Sequence, residues 1–153
     1  MKRFLFLIAL FCAFLAHSQS TEEVVKNAII DFFDGFHKGD SLKLTSVLMK
    51  DTKLQSAVKT KEGQDKLMST PIDKFIASLI KPRKDIYEER LLSYKVLVDG
   101  NMAHVWTPYE FYVNSQLSHC GVNSFQLFND NGQWKITYIL DTRRRTGCET
   151  KSE

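Results

Sequence analysis

Between positions 21 and 39 the apolar residues fall at Val24, Val25, Ala28, Ile29, Phe32, Phe33 and Phe36, the spacing of one broad helical face. Thr21 stands ahead as N-cap, and Glu22 and Glu23 place negative charge in the first turn, where the helix dipole favours it. Gly39, just after Lys38, ends the helix. Asp40-Ser41 opens a second, shorter helix carrying Leu42, Leu44, Val47, Leu48 and Met49, so the two form an αα-hairpin. The pattern then weakens and predicts a strand over 52–58, a turn over 59–63 and a return over 65–68. Thr70-Pro71 starts a third helix, with proline early, where its missing N–H costs little. Ile72, Phe75, Ile76, Leu79 and Ile80 mark its buried face, and Pro82 stops it.

From Ile86 the period changes to two. Leu92, Tyr94, Val96 and Val98 alternate with Ser93, Lys95 and Leu97 in a first long strand, and Asp99-Gly100-Asn101 turns the chain. A second strand over Met102–Val113 is rich in aromatic and β-branched residues. Asn114-Ser115-Gln116 turns again, a third strand follows over 117–128, and a fourth runs over 133–140. Between the last two, Asn129-Asp130-Asn131-Gly132 carries the strongest hairpin signal in the chain. Three helices followed by a meander of long strands is an α+β pattern, with the helices on one face of a strongly curved antiparallel sheet. Pro108 is the natural place for a bulge that would bend it.

Residues 1–18 stand outside this pattern. Lys2 and Arg3 precede an apolar run from Phe4 to Leu15, and Ala16-His17-Ser18 follows. These are the three regions of a secretory signal peptide, and the run is too short to span a membrane comfortably. We therefore expect an exported protein, periplasmic or secreted, cleaved near Ser18/Gln19. One domain over 19–148 and a polar tail over 149–153 make up the rest. A mature chain of roughly 135 residues suits a single domain with its own core. Losing Lys2 and Arg3 turns 21 basic and 18 acidic residues into 19 against 18. Such a balance argues against nucleic acid as a partner. Arg143-Arg144-Arg145 is short and reads as a solvated tail before it reads as an anion site. Cys12 leaves with the leader, and Phe11 before it argues against lipidation. Cys120 and Cys148 remain, an even pair in an oxidising compartment. A disulfide between them, weighed against two separate thiols, would close a loop of about 28 residues and contribute roughly 3 kcal/mol.

Several strings then resemble one family in order and spacing. They are Phe32, Phe33 and Phe36 with Gly39-Asp40, Val98-Asp99-Gly100-Asn101-Met102-Ala103, and Trp106-Thr107-Pro108-Tyr109-Glu110-Phe111. Toward the end come His119-Cys120-Gly121, Phe125-Gln126-Leu127, Gly132-Gln133-Trp134-Lys135-Ile136 and Asp141-Thr142-Arg143-Arg144. Together they resemble the NTF2-like (nuclear transport factor 2-like) superfamily, and within it the exported bacterial branch that carries a lumazine-binding label. The resemblance implies a cone-shaped α+β fold with a ligand pocket, and a homodimer through the outer face of the sheet. The superfamily includes ketosteroid isomerases and dehydratases. The isomerase pattern places a tyrosine on the first helix, whereas every aromatic residue between Thr21 and Gly39 here, histidine aside, is phenylalanine.

Strand phase suggests which residues face the pocket. A two-residue loop in the last hairpin, either Asp130-Asn131 or Asn131-Gly132, puts Gly121, Asn123, Phe125 and Leu127 on one face with Trp134, Ile136, Tyr138 and Leu140. Val122, Ser124, Gln126, Phe128, Lys135, Thr137, Ile139 and Asp141 take the other. The first face is the more apolar and is read as inward; His119 continues it. A two-residue turn at Asn114-Ser115 brings Glu110 and Tyr112 to the face of His119, and a three-residue turn brings Tyr109 and Phe111. The ligand-site candidates are accordingly His119, Asn123, Tyr109, Glu110, Tyr112 and Tyr138. No residue is assigned a catalytic role; His119 and Glu110 are the candidates, as an imidazole oriented by a carboxylate. The bland alternatives are a satisfied core histidine at 119, a cross-strand charge at Glu110, and packing roles for Trp106 and Trp134. Arg90 with Glu88-Glu89 opens the first long strand and Asp141-Thr142-Arg143 closes the last. The two could meet at one end of the cone, with Asp141 and Arg143 as a structural ion pair before an anchor for an anion.

The histidines lack metal-ligand spacing, and nothing in the chain calls for a cofactor. The expected function is binding of a small aromatic or heteroaromatic molecule in the cone. The alternatives are a lyase or isomerase using His119 and Glu110, and a dimeric accessory module packing through Val122, Phe128 and Ile139.

Overall fold

The computed structural model describes residues 20–82 and 84–148, so the expected leader and the tail over 149–153 lie outside the described residues. Three helices, α1 (Thr21–Lys38), α2 (Ser41–Val47) and α3 (Ile72–Ile80), pack on a seven-stranded sheet. The strands are β1 (Leu48–Lys59), β2 (Asp65–Thr70), β3 (Tyr87–Leu91), β4 (Lys95–Asp99), β5 (Met102–Val113), β6 (Gln116–Asp130) and β7 (Gln133–Thr142). Their order is β2-β1-β7-β6-β5-β3, with β4 also paired to β5. The fold is α+β, and the sheet is curved and mixed rather than purely antiparallel, because β1 lies parallel beside β7.

The caps explain the helical hairpin. Ser20, one residue earlier than expected, is the N-cap of α1, its hydroxyl accepting from the Glu23 N–H at 3.2 Å. Gly39 takes the left-handed conformation (φ 65°) that ends α1, and Asp40 N–H closes back on the Gly35 carbonyl at 2.9 Å. A Cβ at Gly39 would also sit 2.9 Å from the Leu79 carbonyl oxygen of α3. Asp40 then caps α2 by accepting from Lys43 N–H at 3.0 Å. That helix ends at Val47. Leu48 and Met49, expected to be helical, begin β1, where Leu48 pairs with Ile136 and Thr52 Oγ1 reaches the carbonyls of Met49 and Ile136. A short apolar run fits either period, and the vacant edge of β7 decides it.

The long strand expected from Ile86 onward is two strands. Leu91 pairs with Tyr109 and Lys95 with Trp106, so residues 92–94 face only Thr107 and Pro108. Pro108 has no N–H to give this neighbour, although its carbonyl accepts from Leu92 N–H at 2.9 Å. The irregularity expected at Pro108 therefore falls on the β3–β4 side; toward β6 the register runs through Pro108 and Val122 without a break.

The core joins the apolar stripe of α1 to the inner face of β5, β6 and β7. Val25, Ile29, Val105, Phe125 and Ile136 are fully buried there. Phe32 and Phe33 both meet Phe125 edge-on, at 5.8 and 6.1 Å between ring centres. Burying a ring such as Phe125 stabilises the fold by about 2–3 kcal/mol.

Two bulges set what faces inward. The β6–β7 turn is the two-residue Asn131-Gly132 loop, but the register slips between Gln126 and Leu127, with Thr137 as the extra residue. Beyond it Ile139 and Asp141 point inward, in place of the expected Tyr138 and Leu140. The β5–β6 turn is likewise a two-residue loop, Asn114-Ser115, with both residues at positive φ. Here Ser118 is the extra residue, and Phe111 comes to pair with His119. Tyr109 and Phe111 therefore share the face of His119, and Glu110 and Tyr112 turn outward.

Candidate functional site

Between α1, α3 and the inner face of the sheet lies a hollow of about 660 Å³. Its walls are aromatic: Phe32, Phe33, Phe36, Phe75, Phe111 and Phe125 all line it. Phe75 of α3 stacks on Phe32 and Phe36, each at 6.2 Å. Most of the polar lining comes from strands, with Ser78 of α3 and Lys81 just beyond it added from the helical side.

Glu89 of β3 is central. Its backbone N–H donates to His37 Nε2 at 3.0 Å, tying β3 to the end of α1 and placing the imidazole proton on Nδ1. Burial lowers the pKa of His37, partly offset by the charge of Glu88. The Glu89 carboxyl lies deep among protein atoms yet keeps some surface on the hollow. Asn123 of β6, almost fully buried, donates to it from Nδ2 at 2.7 Å. Burial raises the Glu89 pKa to about 7 and the charge of Asp141 adds to this, while the Asn123 bond and the Arg143 charge oppose it.

Asp141 anchors the neighbouring cluster. It accepts from Ser56 of β1 at 2.5 Å and from Arg143 Nε at 2.7 Å, and Arg143 Nη2 donates to the same serine hydroxyl at 3.1 Å. The ion pair expected between Asp141 and Arg143 is thus present, and both residues line the hollow. Tyr109, also buried, lies across β6 and donates to the Thr142 carbonyl at 2.9 Å. Burial and the nearby carboxylates push its phenol far above the ordinary range. Gly121 makes this crossing possible: a Cβ there would lie 1.8 Å from the Thr142 oxygen and 2.8 Å from the Tyr109 ring.

His119 sits half-buried at the rim, stacked on Phe111 at 4.7 Å with Tyr109 edge-on at 5.9 Å. Burial lowers its pKa, and the charge of Arg143 does so further. Its Nδ1 lies 3.2 Å from Ser118 Oγ, and among the described residues no carboxylate is hydrogen-bonded to it.

Of the sequence candidates, His119, Asn123 and Tyr109 come together at the hollow. Glu110, Tyr112 and Tyr138 do not. Glu110 points away from His119 on the outer face, buried, with Oε2 accepting from Tyr112 Oη at 2.7 Å; among the described residues its Oε1 has no partner. The ring of Tyr112 lies under the Arg90 guanidinium at 4.0 Å, and Tyr138 donates to Gln55 Oε1 at 2.6 Å. The proposed His119–Glu110 pair is excluded by the Ser118 bulge. Ile139, expected on the outer face, is instead buried in the core. Trp134 packs in the core as read, whereas Trp106 is exposed.

Sequence reasoning missed Glu89, Ser56 and Asp141 as lining residues. Glu89 was within reach: Tyr87, Glu89 and Leu91 alternate on one face of a short strand. Asp141 was not, because the Thr137 bulge inverts its side.

A disulfide joins Cys120 to Cys148, with the Cα atoms 5.6 Å apart. Among the described residues no group of three or more His, Cys, Asp or Glu side chains could hold a metal ion. No helix among them is long and apolar enough to cross a membrane.

No family model matches this chain, and a search of curated proteins finds no match. Solved structures do resemble it. An NTF2-like protein from Cytophaga hutchinsonii aligns with TM-score 0.66 and 13% identity, over 82% of this chain and 100% of that one. An NTF2-like protein of unknown function from Pseudomonas putida aligns with TM-score 0.65 and 12% identity, over 82% and 87%. A candidate dehydratase of the NTF2-like family from Streptomyces avermitilis aligns with TM-score 0.62 and 15% identity, over 80% and 95%. With the cone-like packing of three helices on a curved sheet, these likenesses identify the fold of this chain as NTF2-like.

Proposed function

We propose that this chain binds a small aromatic or heteroaromatic molecule inside the cone. The observation that carries the reading is the hollow itself, walled by six phenylalanines and bounded on its polar side by Glu89 and Asn123. A planar ring gains edge and face contacts from such walls. With a pKa of about 7, Glu89 can either donate to or accept from a ring heteroatom at neutral pH. The neutral dye N-phenyl-1-naphthylamine is the probe. It should bind saturably with a rise in fluorescence. Ser78→Trp, made from an exposed position on α3 that lines the hollow, should weaken it about tenfold by filling the space. Non-saturable binding, or binding indifferent to Ser78→Trp, would refute the reading.

One observation favours a second reading. A carboxyl with pKa near 7 facing a hollow suits proton abstraction and return, as in a lyase or isomerase, with Glu89 as the acid–base group. Its mark is that Glu89→Gln abolishes turnover while dye binding stays within about twofold. Retained turnover would exclude it.

We further infer that residues 1–18 direct export and are then removed. N-terminal sequencing of natively exported protein should start near Gln19; a chain still beginning at Met1 would exclude this. The exposed Leu97, Met102, Trp106 and Phe128 favour a homodimer through the outer sheet face, without Ile139.

A further inference from the structure

Resting on that reading, we propose that the molecule in the cone is an aromatic anion. Its ring lies among the phenylalanines, and its acid group reaches a basic mouth built by the chain segment that the disulfide holds in place.

A second hollow, of about 840 Å³, adjoins the first, and His119 and Arg143 line both. Around the second stand Lys59, Lys66, Arg143, Arg144 and Arg145 against a single carboxylate, Asp65. Asp65 is already engaged by Lys59 at 2.6 Å, and Arg143 by Asp141 at 2.7 Å. Among the described residues, Lys66, Arg144 and Arg145 have no carboxylate partner. Three cations without a carboxylate partner among the described residues therefore border a hollow that shares His119 and Arg143 with the aromatic one. The short run Arg143-Arg144-Arg145, read from sequence as a solvated tail, has a defined place here.

That place is fixed by two adjoining clips. Arg144 exchanges both backbone hydrogen bonds with Cys120, at 3.0 and 2.9 Å, and Cys120 is joined to Cys148 four residues beyond Arg144. Clustered cations on a tethered loop hold their field at one spot, so an anion gains attraction without the cost of ordering the segment. His119, stacked on Phe111, and Arg143 border both hollows, so a ring lying in the cone against His119 can set its acid group beside Arg143.

Two dyes test this. 8-Anilinonaphthalene-1-sulfonate and N-phenyl-1-naphthylamine share one body and differ by a sulfonate that stays ionised at every working pH. The disulfide-intact chain should bind the sulfonate about tenfold tighter, and the dyes should displace each other. Arg144→Gln/Arg145→Gln, both at exposed positions, should remove most of that preference while leaving the neutral dye's affinity unchanged. If this variant fails to fold, the native chain still decides, because the preference must fall between about 0.02 M and about 0.5 M salt. Equal affinity for the two dyes, a preference that survives the double substitution or the salt, or failure of the dyes to compete would overturn the anionic class and leave the cone-binding reading standing. Binding of neither dye would defeat both.

Discussion

Glu89 makes a demanding test of the site, because its carboxyl is held with a pKa near 7 against an ordinary 4.5. Over that interval the folded chain binds a proton that the unfolded chain has lost. Stability must then fall as pH rises from about 4.5 through about 7, by roughly 3 kcal/mol once Glu89 is fully ionised. Glu89→Gln keeps the oxygen that accepts from Asn123 and never ionises. We expect the variant to match the parent below about pH 4 and to exceed it by roughly 3 kcal/mol at pH 8. His37 and His119 titrate in the same region with the opposite sign. Their pKa values are lowered, so they lose stability as pH falls, but they are common to both proteins and cancel in the difference. Urea unfolding at steps between about pH 4 and about pH 9, disulfide intact, reads the effect as a shift in midpoint at constant m-value. A difference that does not change with pH, or one centred near pH 4.5, would refute the claim that burial and Asp141 hold this carboxyl protonated.

Three further outcomes follow from the geometry. Replacing Cys120 and Cys148 with serine should cost about 3 kcal/mol in urea unfolding, and native protein analysed without reduction should show a two-proton mass deficit; no change in stability would mean the cross-link constrains little. Gly121→Ala drives a methyl into the Thr142 carbonyl and the Tyr109 ring and should lower stability by more than about 3 kcal/mol, so a melting point within a few degrees of the parent would contradict the close crossing there. Trp106→Glu combined with Phe128→Lys should leave a folded monomer by light scattering, and an unchanged dimer would place the interface elsewhere.

Helices and turns were legible because their causes are local. The stripe from Val24 to Phe36, the acidic first turn and Gly39 define α1 almost to the residue, and the ends of β5 fall where alternation gives way to Asn101 and Asn114. The two-residue loop at Asn131-Gly132 is likewise a property of its own residues, since both must hold positive φ. Even the sheet's interior could be assigned near that turn, where Leu127 and Ile136 pair as alternation requires.

Farther from each turn, tertiary structure took over. One extra residue at Ser118 and another at Thr137 invert every side chain beyond them, exchanging Glu110 for Tyr109 and Tyr138 for Ile139 at the hollow. Such a slip leaves no mark in the local pattern, because it costs little by itself. It is settled by what the curved sheet must bury and by the pairing of partners distant in sequence. The same holds for β1, whose parallel place beside β7 sets Ser56 against Asp141 across 85 positions of chain. The sequence alone determined α1, the hairpin turns and the extent of β5. Only closure of the sheet over the helices determined which carboxyl faces the aromatic wall, because facing is a sum of registers along several strands.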